Sequence, residues 1–372
     1  MGAPLCGLNC DVFPGNVELN EAELTKSRTI VDTRRATKRA RVGARLRIAL
    51  PLLILGLVVA VLVGLYVGYQ PLDLAALKTD PIARAVFFRL RIPRVLMAGI
   101  VGASLAMVGA ALQALFRNPL ADPFTLGVSG GASLGASVAI AFGLGLNLVG
   151  VPFIFIAAFA GASVSVLLVY RLARSGGGTM LPGALLLAGV VLNLSASAGV
   201  LVIQYLASYG RALQILRWLI GSLDVVGFDL IWKMLVFLIP GWLVLIAHAR
   251  DLNLLATGES DSAASLGVDV RRTERMVFLA SSLIVAVTVS VGGAIGFVGL
   301  IVPHAARLVF GQDVRVLLPV SFLLGAAFLI LADTLARVAI SPGELPVGAI
   351  TALLGGPVFL LLLKRQQRYS AM

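Results

Sequence analysis

Histidine and cysteine are nearly missing from this chain, which carries two of each in 372 residues. Cys6 and Cys10 both fall in the polar N-terminal stretch, and a C-x3-C pair without partner histidines or further cysteines does not read as a metal site. His248 and His304 are distant in sequence, which makes them poor joint ligands for a metal or a haem, and their reading is structural hydrogen bonding. No Ser-His-Asp set, paired carboxylates or H-E-x-x-H is present, so a membrane protease or hydrolase is disfavoured. Charge is scarce as well, with 13% charged residues against 59% hydrophobic ones. The mean hydropathy of +0.99 excludes an ordinary soluble domain. No typical secretory signal peptide opens the chain, because about 45 mostly polar residues precede the first apolar run.

What is present is a series of apolar runs near 20 residues long, each able to cross about 30 Å of hydrocarbon as a helix. Barrel strands would alternate over shorter segments, and that pattern is absent. The fold class is therefore an all-α polytopic membrane protein. Ten spans are predicted near 46–68, 93–116, 124–144, 150–171, 180–206, 228–248, 274–293, 296–311, 315–338 and 346–364. The eighth is short and interrupted by Gly and Pro. The domain reading is a basic N-terminal extension over 1–45, a ten-helix membrane body over 46–366 and a tail over 367–372.

The net charge of +12 would suggest nucleic acid in a soluble protein. Here the excess sits in "RRATKRARVGARLR" (34–47), just before the first span, where the positive-inside rule places cytoplasmic segments. An even number of spans puts both termini on that side, and "KRQQR" (364–368) agrees. One outer loop breaks the rule, since 78–94 carries Lys78, Arg84, Arg89, Arg91 and Arg94. Cations left outside against the usual bias point to a partner.

The glycine-rich "GVSGGASLGA" (127–136) raises the question of a phosphate cradle. It has no βαβ context for a dinucleotide fingerprint and no Gly-Lys-Ser/Thr for a Walker A loop, and no Walker A occurs elsewhere. Close helix packing by small residues is the reading, with Ser129 and Ser133 available for bonds across helices. Just before it, "FRNPLADP" (116–123) holds two prolines that forbid continuous helix. This is a tight turn, with Asn118 and Asp122 suited to capping and Arg117 to the headgroup level. Asn118 could also stand at the mouth of a pathway. Between 249 and 273 an amphipathic segment (Leu252, Leu254, Leu255, a break at Gly258, then Ala263, Ala264, Leu266 and Gly267) must cover its apolar face. Either it folds back on the chain's own helices or it docks a soluble partner. Asp333 is the most notable intramembrane acid, and Arg337 one turn later makes an i,i+4 pair the simpler account. A secondary transporter would need a charged relay or sodium site that is lacking.

Several of these stretches together resemble FecCD-type permeases, the membrane subunits of ABC importers for iron–siderophore chelates, haem and cobalamin. They are "RIPRVLMAGIVGASLAMVGAALQALFRNPLADPFTLGVSGGA" (91–132), "LLLAGVVLN" (185–193), "RWLIGSL" (217–223), "LNLLATGES" with "AASLGV" (252–268), "GAIGFVGLIVPHAARL" (293–308), "LLPVSFLLGAAFLILADTLAR" (317–337) and "ELPVGAITALLGGPVFLLLLKR" (344–365). The resemblance covers about 46–366. It implies a ten-span, type II importer fold, a homodimer with the substrate path along its interface, two ABC ATPase subunits that carry ATP and Mg, and a periplasmic or lipid-anchored substrate-binding protein. The chain itself would be no enzyme and hold no cofactor or metal, and it would lie in membrane lipid, in the bacterial inner membrane, with no nucleic-acid partner. The resemblance assigns Arg91, Arg94 and Arg337 to binding-protein docking and Asn118 to a cytoplasmic gate, with Gly177 and Thr179 as weaker gate positions. It assigns Leu252, Leu254, Leu255, Gly258, Glu259, Leu266 and Gly267 to the helices that couple to the ATPase. The favoured substrate is an iron chelate, haem included, with cobalamin second.

Overall fold

In hydrocarbon every backbone N–H and C=O must find a partner within the protein, so a long apolar run folds as a helix. The computed structural model describes residues 50–68, 76–148, 150–173, 182–257, 265, 267–340 and 343–370. In chain order the main helices are α1 (Leu50–Tyr66), α2 (Pro81–Leu115), α3 (Val128–Ala141), α4 (Phe153–Ala173), α5 (Pro182–Leu206), α6 (Tyr209–Ile220), α7 (Asp229–Ala247), α8 (Ala249–Thr257), α9 (Val270–Gly292), α10 (Val298–Phe310), α11 (Val314–Val338) and α12 (Val347–Ser370). Six of them, α2, α4, α5, α7, α9 and α11, are long and apolar enough to cross a membrane. Four shorter apolar helices, α1, α3, α10 and the first part of α12, accompany them. A two-residue hairpin, Asn147–Leu148 against Val151–Pro152, joins α3 to α4.

Two elements depart from the sequence reading. The second helix begins at Pro81 rather than near 93 and runs 35 residues. Pro93 lies within it and cannot donate to the carbonyl of Arg89. A π-helical turn at Phe87–Arg91 precedes the proline, and the freed Arg89 carbonyl accepts the Gly227 N–H at 2.8 Å. Helix α6 was not expected, because its apolar residues are too few and too spaced to read as a span. It buries Ile215 against α3 and α5 residues such as Ile140 and Val200, while Arg211 donates to the Ala141 carbonyl at 2.7 Å.

The core is α2. Its most apolar window is 83% buried, against 17% for α5. Lipid is as apolar as leucine, so helix association there relies on close contact and on hydrogen bonds. Glycines permit that contact. A Cβ on Gly102 would strike the Gly325 carbonyl of α11, and one on Gly109 would strike the Gly299 carbonyl of α10. The 127–136 stretch behaves the same way, with Gly131 against Gly161 and Gly135 against Ala157 of α4. Ser165 of α4 adds an interhelical bond to the Gly127 carbonyl at 2.7 Å.

These contacts make a contrast between two glycines testable. Gly109→Ala overpacks a backbone contact and should cost about 1–3 kcal/mol or more. Gly56 of α1 faces open space, so Gly56→Ala should be neutral or raise stability by up to about 1 kcal/mol. Thermal unfolding of the detergent-solubilised protein reads both, and equal midpoints for the two variants would contradict the packing account.

Candidate functional site: two polar ends of the bundle

Helices α2 and α11 carry polar residues at both ends, and these gather the loops. At the end where α2 begins, Arg94 and Arg337 flank Asp333. Arg94 Nε lies 3.1 Å from Asp333 Oδ1, and Arg337 Nε lies 3.0 Å from Asp333 Oδ2. The first is a hydrogen bond; the second is a charge contact outside hydrogen-bonding geometry. Asp333 is 1% exposed, and a lone carboxylate there would be prohibitively placed without its cations. Arg94 also reaches Glu344 at 2.7 Å and Asp224 at 3.2 Å, on two loops far apart in sequence. The loop holding Asp224 is the one pinned to Arg89 through Gly227, so Pro93 indirectly sets its place.

The last carbonyls of α1 are the remaining partners. Arg337 Nη2 donates to Gly64 O at 3.0 Å and to Thr334 Oγ1 at 3.1 Å, and Arg91 Nη1 donates to Leu65 O at 3.1 Å. Helix C-termini leave such carbonyls unpaired and carry partial negative charge, which suits guanidinium groups. The i,i+4 pairing of Asp333 with Arg337 is as the sequence indicates. Of the residues assigned to docking, Arg337 is 5% exposed and bonds inside the chain. Arg91 is half-buried, and Arg94 is 15% exposed on a side shared with the more open Asp224 (69%) and Glu344 (45%).

At the opposite end, α2 stops in a Schellman motif: the Asn118 N–H bonds the Gln113 carbonyl and the Arg117 N–H bonds the Ala114 carbonyl. Arg117 occupies the position that glycine usually fills, with φ of 51°. A left-handed conformation costs a non-glycine residue about 1–2 kcal/mol. Its side chain, on an exposed residue at the end of α2, donates from Nε to the Leu255 carbonyl of α8 at 2.7 Å. Asn118 Oδ1 accepts the Leu120 N–H at 2.9 Å, so Asn118 holds the turn itself. Asp122 caps the 3-10 turn Pro123–Leu126 through the Phe124 N–H. Burial pushes its carboxyl up to about 6, against the effect of that hydrogen bond. Asn193 of α5 donates to Phe124 O at 2.8 Å and accepts the Gly130 N–H at 2.9 Å.

Helix α8 resolves the choice left by the amphipathic segment for part of its length. Leu252 and Leu255 are 0% and 3% exposed, so this face folds back on the chain's own helices and seats α8 rather than meeting a partner. Leu254 is half-buried. Asn253 Oδ1 accepts the Val314 N–H at the start of α11 at 3.0 Å. Gly267 has φ of 82° and open space around it, the requirement of a turn ahead of α9. Gly177, Thr179, Gly258, Glu259 and Leu266 lie outside the described residues, as do 1–45 with Cys6 and Cys10. His248 donates from its ring to the Val244 carbonyl at 2.9 Å, a structural role.

Sequence reasoning missed Gln113, Asn193, Asn253, Asp224 and Glu344. Gln113 and Asn193 could have been found, since a lone amide in an apolar run needs a partner across helices. Buried Gln113 donates to Gly299 O at 3.2 Å and accepts from Arg307 at 2.6 Å, tying α2 to α10.

The profile of the FecCD transport family matches residues 52–365. The chain belongs to the FecCD transport family. Among its relatives, the cobalamin import system permease protein BtuC of Halobacterium salinarum is 46% identical over 288 residues, covering 77% of this chain and 75% of that protein. The hemin transport system permease protein HmuU of Yersinia pestis is 37% identical over 326 residues, covering 85% and 97%. A solved structure described as an inward-facing metal-chelate type ABC transporter superposes with a TM-score of 0.73 at 32% identity, over 84% of this chain and 97% of that one. This FecCD chain is thus a multi-pass membrane permease of the ABC importer class, and both polar ends lie within the matched region.

Two variants probe the two ends of this FecCD chain. Asp333→Ala removes the buried anion between two guanidiniums, leaving Arg337 without a carboxylate partner, and should lower stability by about 3–5 kcal/mol, read as an earlier thermal midpoint. An unchanged midpoint would mean the ion cluster is dispensable. For Asp122, the folded state binds the proton more tightly than the unfolded one. Its contribution therefore favours folding at low pH, declines as pH rises between about 4 and 6, and stays flat above, by at most about 3 kcal/mol. Asp122→Asn keeps the cap acceptor and should remove this slope, so the variant should gain on the parent above pH 6 and not below pH 4.

Proposed function

We propose that this chain is the permease of an ATP-driven importer that takes an iron chelate, ferric siderophore or haem, from a substrate-binding protein into the cytoplasm. The observation that carries the reading is the match to a hemin permease over nearly its whole length, joined to the metal-chelate class of the superposed structure. A second reading, cobalamin, is favoured by the higher identity to the Halobacterium permease. All are bulky metal chelates, and an apolar path suits any of them.

In this reading the six long and four shorter apolar helices are ten membrane segments of a bacterial inner membrane protein, with both termini cytoplasmic. The Arg94 end faces outward and the Arg117 end inward. Two copies form the pathway, and α5 supports this by its exposed Leu187, Leu194, Leu201 and Tyr205, which need lipid or a second subunit. The binding protein docks at the outer arginines, of which Arg94 and Arg91 remain the contributors and Arg337 their support. Charge complementarity there sets register and encounter rate. Two separate ATPase subunits bind ATP and Mg and press on α8 and the segment after it, including Gly258, Glu259 and Leu266. The turn at Asn118 acts as the inner gate, with Gly177 and Thr179 in the loop before α5.

Asp224 and Glu344 occupy Arg94 in the free chain and would compete with a carboxylate of the binding protein. The double variant Asp224→Asn, Glu344→Gln should tighten binding-protein association several-fold, and Arg91→Glu should weaken it by about tenfold or more while basal ATPase activity of the assembled complex persists. Affinity purification of the permease should bring an ABC ATPase with it, and binding to the lipid-reconstituted complex is measured by surface plasmon resonance. A permease that purifies without an ATPase, or binding indifferent to both sets of variants, would sink the reading.

A further inference from the structure

Arg117 stands where the backbone favours glycine, and it keeps a left-handed conformation that its side chain does not require. What the arginine adds is one bond, from Nε to the Leu255 carbonyl in α8. The other end of the same turn is held by Asn193, which bonds Phe124 O and Gly130 N from α5. Gly130 lets it approach, since a Cβ there would fall 2.5 Å from Asn193 Oδ1. The sequence of contacts is continuous: α8 to Arg117, along the 117–124 turn, to Asn193 and α5.

The helices at the two ends of this line differ in how firmly they are held. Helix α8 is anchored to α11 through Asn253, and α11 is locked to α2 by the Gly102–Gly325 backbone contact. Helix α5 is the least buried of the six long helices, and its inner face is tied to the start of α3 by Asn193 and the close approach at Gly130. A displacement of the C-terminal part of α8 relative to α11 therefore acts on Arg117 first and on α5 through Asn193.

We infer that Arg117 and Asn193 are positioning residues that transmit movement of α8 to α5, the helix placed on the substrate path. This rests on the importer reading above. A purely structural role for Arg117 makes a different prediction, because Arg117→Gly removes the bond to Leu255 and relieves the backbone at once.

The test uses the full complex of permease and ATPase, with Cys6→Ser and Cys10→Ser to clear the native thiols and Leu194→Cys to report on α5, where Leu194 is 67% exposed. Maleimide labelling of that thiol is timed without nucleotide and after trapping with ATP and vanadate. The parent should change its labelling rate on trapping by at least about twofold. Arg117→Gly should hydrolyse ATP at a rate close to the parent, unfold at the same or a higher temperature, and lose the change in labelling. Asn193→Ala should lose it as well. A parent-like labelling change in Arg117→Gly would overturn the inference, and so would a lower unfolding temperature with loss of ATPase activity, which is the signature of a pin. A parent complex that does not respond to ATP at all would count against the importer reading itself.

Discussion

Contact of backbone on backbone along α2 is the constraint on which the rest of this structure depends. In a bilayer, side-chain burial alone gives helices little reason to prefer each other to lipid. Gly102 and Gly109 bring α2 against α11 and α10 so closely that no side chain fits between them. Gln113 adds a buried amide bond to α10, and the three helices form the central group of the bundle. The polar chemistry is attached to its two ends.

Each end shows how one local rule creates the next feature. Pro93 cannot donate, so the Arg89 carbonyl is free to hold Gly227, and the loop with Asp224 lies beside Arg94. The short α1 ends with open carbonyls, and two arginines take them. At the other end the chain turns through two prolines, and side chains from α4, α5 and backbone from α8 grip that turn at Gly127, Phe124 and Arg117. Of the long helices, α2 at the centre is the most buried and α5 the least.

Much of this was legible in the sequence. Apolar run length located the long apolar helices among the described residues, the small residues of 127–136 pack α3 closely against α4 as read, and the Asp333–Arg337 pair followed from its spacing. The start of α2 was not legible, because Pro93 reads as a boundary unless one knows that a π turn and a distant glycine absorb it. The bonds of Arg337 to the end of α1 were not legible either, since a cation at the end of a span gives no sign of the carbonyls it meets. Arg117 is the plainest case: its type suggests the headgroup region, and nothing in the sequence signals its bond to the Leu255 carbonyl of α8. Residues that join elements far apart in sequence, such as Asn253 with Val314, leave no periodic trace.

The account turns on the claim that ATP hydrolysed by partner subunits drives inward movement of a metal chelate through this chain. The direct measurement is uptake of haemin, and separately of cyanocobalamin, into proteoliposomes holding the permease with its ATPase, with binding protein supplied outside and ATP enclosed. The account predicts uptake of one of these chelates that requires ATP, stops with vanadate and is indifferent to ionophores. Uptake that proceeds without ATP and collapses when an ion gradient is dissipated would contradict it.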